Sequence, residues 1–458
     1  MSTSSQDFRV RAGQAISDLR LQAALDKVTH HFREGRQNAM ANLPESDELR
    51  DLLKLIRGRT VDQLGAHLET FERNATAAGS QVHWAVDGQE AVELVVEIAR
   101  QHKAVLAAKS KSMLTEEIHL NDGLQAAGIR AVETDLGEWI LQLAGETPYH
   151  IIGPAAHKTK EQVASLIEKE AGRELASMEI PDLTQEARAI LRENFLAADI
   201  GITGANIGVA ETGSIVLVTN EGNGRLVSSL PPVHVVLIGI EKIAPGWQEA
   251  GVWLSLLARS ATGQPLSAYT SVITGPARSG DPDGPQAVHI ILVDNQRGNI
   301  AGTPYQEVLS CIRCGACLNV CPVYREAGGH AYGSPYSGPI GAVVSPLLFG
   351  AAGYAGLPQA STLCGACLDV CPARIDLPRM LLQHRMDQVQ TQSNPRVERL
   401  LQRAAAGVLA RPGLYRILTW IGRRLQVLLA RRGRLPWRNL PALAKRSFAE
   451  QWQREEWE

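Results

Sequence analysis

A chain of 458 residues, 45% hydrophobic and 21% charged, is long enough to bury two or three cores and has the balance of a soluble globular protein. Its formal net charge of −2 gives no reason to expect nucleic acid as the main partner. The first residues show no charged-then-apolar-then-small pattern and no twin arginine, so a reducing, cytoplasmic compartment is expected.

Residues 1–75 read as a polar, helical lead-in. Leu21, Ala24, Leu25 and Val28 share one side of a charged stretch, and Leu49, Leu52, Leu53 and Ile56 recur at helical spacing. From 76 to 303 the pattern changes to short apolar runs alternating with helical segments. Strands are expected at 82–86, 104–108, 130–134, 150–153, 214–219, 233–239 and 289–293, with helices at 88–101, 116–127 and 159–171. Strand–helix–strand repetition predicts an α/β domain with a largely parallel sheet. In such sheets ligands bind beyond the carboxyl ends of the strands. No phosphate-binding fingerprint is present, and Glu221-Gly-Asn-Gly224 follows a strand without an obvious helix.

The chemistry concentrates in residues 304–394. All seven cysteines lie in two runs, Cys311-Ile-Arg-Cys314-Gly-Ala-Cys317-Leu-Asn-Val-Cys321-Pro322 and Cys364-Gly-Ala-Cys367-Leu-Asp-Val-Cys371-Pro372. Thiolates are soft, anionic donors suited to iron. Three cysteines spaced two apart wrap three corners of a [4Fe–4S] cluster, and a fourth, followed by proline, reaches to the other cluster. The spacing therefore assigns Cys311, Cys314, Cys317 and Cys371 to cluster one, and Cys321, Cys364 and Cys367 to cluster two. Zinc fits poorly: seven cysteines cannot make two four-thiolate sites, and neither triple spacing nor Cys-Pro endings are zinc patterns. The second run is one thiol short, because Ser361 holds its expected first position. The remaining iron has Ser361, another donor such as His330, water or substrate open to it, or is absent in a [3Fe–4S] centre.

Residues 327–368 carry no Asp, Glu, Lys or Arg. Their length and apolarity raise the case of a membrane span, but the prolines and glycines favour irregular backbone wrapped around the clusters. Beyond 395 the composition turns basic. Thirteen Lys and Arg lie between Pro395 and Arg446, including Arg432, Arg434, Arg438 and Lys445, against one acid, Glu398. With Leu414, Ile417, Leu418, Ile421 and Leu425 at helical spacing, this segment (395–458) reads as a basic amphipathic helix. It suits a membrane surface at the inner face of the membrane, an acidic partner, or simply a solvated face.

Several motifs resemble the lactate-utilisation iron–sulfur protein family, the B component of a three-part L-lactate oxidation system. They are Lys109-Ser-Lys-Ser-Met-Leu-Thr-Glu-Glu-Ile118, Val132-Glu-Thr-Asp-Leu-Gly-Glu-Trp139, Gly204-Ala-Asn-Ile-Gly-Val-Ala-Glu-Thr-Gly213, Gly338-Pro-Ile-Gly-Ala-Val343 and Leu363-Cys-Gly-Ala-Cys367. The resemblance covers about residues 8 to 395, and the missing cysteine at Ser361 fits the family pattern. It implies a LUD-type α/β domain folded like sugar-phosphate isomerases and CoA transferases, followed by an α-helical ferredoxin-like domain with two 4Fe–4S clusters. It implies two partners as well, a cysteine-rich subunit and a smaller paralogue of the α/β domain.

The expected role is an electron-transfer component of an oxidoreductase complex rather than a stand-alone enzyme. The rivals are a chain that oxidises a hydroxy acid unaided at the open iron corner, and a membrane-anchored subunit that feeds a quinone. Glu116, Glu117, His119, Glu133, Asp135, Glu138, Asn206, Glu211 and Thr212 lie near strand ends or turns, where paired carboxylates could do acid–base work. Their ordinary readings are a first helical turn for Glu116 and Glu117, with Thr115 as cap, and a turn at Glu211-Thr212-Gly213.

Overall fold

The computed structural model describes residues 5–391, 396–431, 444, 446 and 448–453. The chain divides into two compact units, Met1–Asp387 and Gln388–Glu458. Among the described residues of the first lie ten strands: β1 (Gln81–Ala85), β2 (Leu106–Lys109), β3 (Arg130–Glu133), β4 (Ile200–Gly204), β5 (Ile207–Val209), β6 (Ser214–Thr219), β7 (Val233–Gly239), β8 (Ile243–Ala244), β9 (Tyr269–Ile273) and β10 (Ala287–Val293).

Six strands form a parallel sheet in the order β1-β10-β7-β4-β2-β3. Both faces are covered, as an all-parallel sheet requires. Alternate residues of one strand serve opposite cores. Val235, Leu237, Ile291 and Val293 pack with Ala91, Val95 and Ile98 of helix Gly88–Gln101. Val236, Ile238, Ile290 and Leu292 pack with Leu64, Leu68 and Phe71 of helix Leu64–Ala77. A second, mixed sheet runs β8-β5-β6-β9. The α/β expectation with a largely parallel sheet holds.

Five local expectations do not. Residues 150–153 form a loop instead of a strand, because the His150 ring accepts the amides of Ile152 and Gly153 at Nδ1, at 3.0 and 3.2 Å. Those amides would otherwise serve a sheet ladder. The expected helix 116–127 breaks at His119, whose φ of 55° is left-handed, into Met113–Glu117 and Leu120–Ala126. Its cap is Ser112, whose hydroxyl accepts from the Thr115 amide, rather than Thr115. Glu221-Gly-Asn-Gly224 does open a helix, Asn223–Ser229. The uncharged stretch holds a buried 12-residue helix, Gly338–Phe349, with Pro339 in its first turn, where no amide is needed. The expectation of irregular backbone there is corrected.

The central strand β4 has no counterpart among the expected strands. Its glycine is dictated by packing: a Cβ at Gly201 would lie 1.9 Å from the Val227 carbonyl oxygen.

Residues 1–75 are more than a lead-in. One continuous apolar cluster runs from Leu25, Met40 and Leu53 through Trp253 and Leu256 of helix Trp247–Ala261 to Ile312, Leu318, Ile340 and Met380. Helices Leu19–Ala41 and Ser46–Asp62 thus share a core with the cysteine segment, more than 250 residues away in sequence. In the second unit, helices Arg396–Leu409 and Pro412–Arg431 expose Leu400, Leu401, Ile417, Trp420 and Leu425. Arg432, Arg434, Arg438 and Lys445 fall outside the described residues. Among the described residues no helix is long and apolar enough to cross a membrane.

Candidate functional site

Each cysteine run folds the same way. A glycine with left-handed φ, Gly315 at 75° or Gly365 at 86°, starts a short helix, Ala316–Val320 or Ala366–Val370, and the Cys-Pro pair ends it. The residue before the second cysteine position is left-handed too, with φ of 59° at Arg313 and 54° at Leu363. These turns aim backbone amides at sulfur. The Arg313 amide donates to Cys311 Sγ and the Ile375 amide to Cys371 Sγ, both at 3.4 Å. All seven cysteines are free thiols; Cys364 is exposed and Cys314, Cys321, Cys367 and Cys371 are buried.

The thiols sort by their neighbours. Burial, opposed by the Ala316 amide and helped by Cys371 and Cys311, pushes Cys314 up to about 12. Burial likewise raises Cys371 to about 11, with Cys311 adding to it. Cys317 is raised by burial and then by Cys311, Cys314, Cys367 and Cys371. Cys367 goes up to about 12 through burial, with Cys321 and Cys364 next. Cys364 alone goes down, through the Thr362 side chain and the Ala366 amide. Cys371 thus keeps company with the first run, and Cys321 with the second. Soft donors, unpaired and surrounded by amides, fit iron–sulfur clusters, and loading displaces the protons that burial retains.

Of the two residues considered for the open corner, Ser361 takes the same amide bond as Cys311, and His330 is bonded elsewhere. Ser361 Oγ accepts from the Leu363 amide at 3.2 Å. His330 Nε2 donates to the Thr147 carbonyl at 2.8 Å, and its ring packs on Tyr149 and His157.

Cations from the lead-in helices grip the second run and the approach to the first, and a lysine of the α/β domain holds the first. Arg36 donates to the Val370 carbonyl at 2.7 Å, and Arg50 to the carbonyls of Asp369 and Cys371. Arg57, fully buried, donates to the carbonyls of Glu241, Ile243 and Leu309. Lys242 Nζ donates to the Cys311 carbonyl at 2.7 Å. Sequence reading missed these residues; the available signal was an arginine amid the apolar positions Leu53, Ile56 and Val61.

The carboxyl ends of the parallel strands meet the first run. Glu117 takes both terminal nitrogens of Arg297 at 2.8 Å, and Glu241 takes its Nε at 2.6 Å. The Tyr336 hydroxyl donates to Glu117, and the Arg313 guanidinium stacks 4.2 Å from the Tyr336 ring centroid. Burial raises the Glu117 carboxyl, but Arg297, Tyr336 and Asn295 together outweigh it and hold it below the ordinary value. Lys109 bonds Glu133 at 2.7 Å and Glu116 at 3.2 Å, and Lys111 lies 3.2 Å from Glu138. Burial pushes Glu138 up to about 7. A cavity of about 430 Å³ opens here, bordered by Lys111, Asp135, Glu221, Lys242, Arg297 and Arg313.

The other singled-out residues do structural work. Asn206 accepts from the Val218 amide, Glu211 accepts from the Trp247 amide at a helix start, and Thr212 bonds Ser214. His119 is exposed.

Two family models match the chain, a LUD domain over residues 68–293 and a 4Fe-4S dicluster domain over 307–375. The second assigns two 4Fe–4S clusters to the cysteine segment. "Lactate utilization protein B" of Bacillus licheniformis is 43% identical over 420 residues, covering 91% of this chain and 88% of that one. The protein of the same name from Bacillus subtilis is 44% identical, covering 89% and 85%. The "Uncharacterized electron transport protein YkgF" of Escherichia coli is 40% identical, covering 91% and 88%. A crystal structure of a DUF162 family protein from Deinococcus radiodurans aligns with 50% of this chain and 98% of its own at 14% identity; its TM-score of 0.27 is a weak likeness. With such identity sustained over most of both chains, the protein belongs to the lactate utilization protein B family.

Proposed function

We propose that this chain is the iron–sulfur electron-transfer subunit of a complex that oxidises L-lactate to pyruvate. The observation that carries the reading is the grouping of thiols across the two runs, in a member of this family. Cys311, Cys314, Cys317 and Cys371 hold one cluster; Cys321, Cys364 and Cys367 hold three corners of the other. When bound, such clusters each carry one electron at a time. The residues around them bury the thiols, donate amides to sulfur and fix the loops through Arg36, Arg50, Arg57 and Lys242. The partners are a cysteine-rich subunit and a smaller LUD-domain paralogue, and the chain works in the cytoplasm.

The test is anaerobic purification with iron and sulfide analysis and low-temperature EPR, followed by addition of L-lactate with and without the two partner subunits. Two cluster signals, reduced by lactate only when the partners are present, are expected. Lactate that leaves the clusters oxidised in the assembled complex overturns the reading.

The exposed apolar residues of helices Arg396–Leu409 and Pro412–Arg431, in a segment rich in arginine, support peripheral attachment to an anionic membrane surface. Co-sedimentation with vesicles containing anionic lipid, lost when the chain stops after residue 391, is the expected result.

A further inference from the structure

The cavity is built where two differently charged walls meet. One wall is the carboxyl edge of the parallel sheet, with Lys111 after β2 and Asp135 after β3. The other is the first cysteine loop, which contributes Arg313 from between Cys311 and Cys314. Ligands of open α/β sheets bind in this position.

Arg313 has no role in shaping its loop. The equivalent residue of the second loop, Leu363, has the same left-handed φ and makes the same amide bond to residue i−2 without a charge. The guanidinium is also poorly spent. It stacks on Tyr336, its Nη2 lies 3.9 Å from Glu241, and its Nη1 is buried with no hydrogen-bond partner. Glu241 is already held by Arg297 Nε at 2.6 Å. Lys111 Nζ is likewise buried and makes no well-directed hydrogen bond, only the 3.2 Å ion pair to Glu138. Buried donors without acceptors cost free energy that an incoming anion recovers.

The acids on the same walls narrow the class of anion. Asp135, Glu221 and Glu241 border the cavity. They repel a phosphate dianion, but they can accept a hydrogen bond from a hydroxyl. A monoanion with a neighbouring hydroxyl satisfies both sets, and a neighbouring keto oxygen can accept from the cations of the same cavity, Lys242 among them. The cavity is several times larger than a three-carbon acid, so water and longer side chains fit beside it.

We propose that this cavity, between the carboxyl edge of the parallel sheet and the Cys311–Cys314 loop, binds a small α-hydroxy- or α-keto-carboxylate anchored by Arg313 and Lys111. The inference rests on the lactate-oxidation reading and extends it, because it puts the substrate class on this subunit rather than on a partner. The carboxylate is held beside the loop of the first cluster, where that loop faces the α/β domain.

Calorimetric titration of the full-length, cluster-loaded protein under anaerobic conditions, without partner subunits, tests it. The probes are L-lactate, pyruvate and inorganic phosphate. Lactate and pyruvate are expected to bind and phosphate to bind at least tenfold more weakly. Arg313→Leu, which installs the residue the second loop tolerates, is expected to keep iron and sulfide content and to weaken carboxylate binding at least tenfold. Arg313→Lys is expected to recover part of the loss. Should Arg313→Leu fail to load iron, Lys111→Met, on the opposite wall, decides: tenfold weaker binding supports the site, and unchanged binding overturns it. Absence of binding by either acid to the wild-type protein, phosphate binding as tightly as lactate, or unchanged binding in a loaded Arg313→Leu overturns it as well. Those failures leave the electron-transfer reading intact, since lactate can still reduce the clusters from a site on a partner.

Discussion

The Leu363 amide donates to the Ser361 hydroxyl oxygen at 3.2 Å, the same bond that the Arg313 amide makes to the Cys311 sulfur at 3.4 Å. Leu363 and Arg313 share a left-handed φ, so the two loops superpose in kind, with an oxygen at the first-ligand position of the second. A neutral hydroxyl is a harder and weaker donor to iron than a thiolate. Ser361→Cys is therefore expected to complete a four-thiolate set. Iron loss in air should slow several-fold, and the EPR signal of the second cluster should change while the first stays constant. Ser361→Ala is the control. Identical iron-loss rates in all three proteins would sink the equivalence.

The thiol grouping makes a prediction about crossed damage. Cys371 lies in the second run but is raised by Cys311, and Cys321 lies in the first but acts on Cys367. Cys371→Ser should abolish the EPR signal that Cys311→Ser abolishes, and Cys321→Ser the signal that Cys364→Ser abolishes. Each single variant should lose about half of the iron, and the Cys311→Ser/Cys371→Ser double variant should lose no more than either parent. Damage that follows sequence proximity instead, with Cys321 grouped with Cys311, contradicts the crossing.

What could be read in the sequence follows the range of the interaction. Cysteine spacing is local, and so is the alternation that sends Val235 and Val236 to opposite cores; both were legible. Strand β4 was hidden because Gly201 meets the Val227 carbonyl, a contact with no local trace. The loop at residues 150–153 carries strand-like residues, yet the His150 ring captures its amides. Hardest to see were Arg50 and Arg57, whose partners lie far away in sequence and belong to other elements. The carboxylates near strand ends could be singled out only as a group, and the fold alone separates Glu117, Glu133 and Glu138, at the sheet edge, from Glu211, which serves a helix start.

Arg57 is a direct test of the lead-in as a clamp. It is 0% exposed, donates to three carbonyls, and lies over the Trp253 ring at 4.3 Å. Arg57→Leu leaves those carbonyls buried without donors, at about 1–3 kcal/mol each before relaxation. Loss of the buried charge offsets part of this, so a net destabilisation of about 3 kcal/mol is expected in urea unfolding of the loaded protein. Because the Leu309 carbonyl stands two residues before Cys311, iron release should also accelerate. A stability change below about 1 kcal/mol with unchanged iron release would show that the helices merely cover the loops.

Glu138 gives the protein a pH dependence of defined sign. The residue is 4% exposed, and burial pushes its carboxyl from an ordinary 4.5 to about 7, against the pull of Lys111 and with further push from Glu133 and Glu116. Between those values the folded chain keeps a proton that the unfolded chain has released. Stability from this group is therefore fully present below about pH 4.5 and falls as pH rises toward 7, by about 1.4 kcal/mol per pH unit at most. Glu138→Gln mimics the protonated form at every pH. The variant should match the wild type in urea unfolding near pH 4.5 and exceed it by about 2–3 kcal/mol at pH 8. A constant difference across that range would mean that Lys111 and the cavity water solvate the carboxylate well enough to keep it ionised. In that case the raised affinity for a proton belongs to Glu133, which shares the same buried edge and which burial also pushes up.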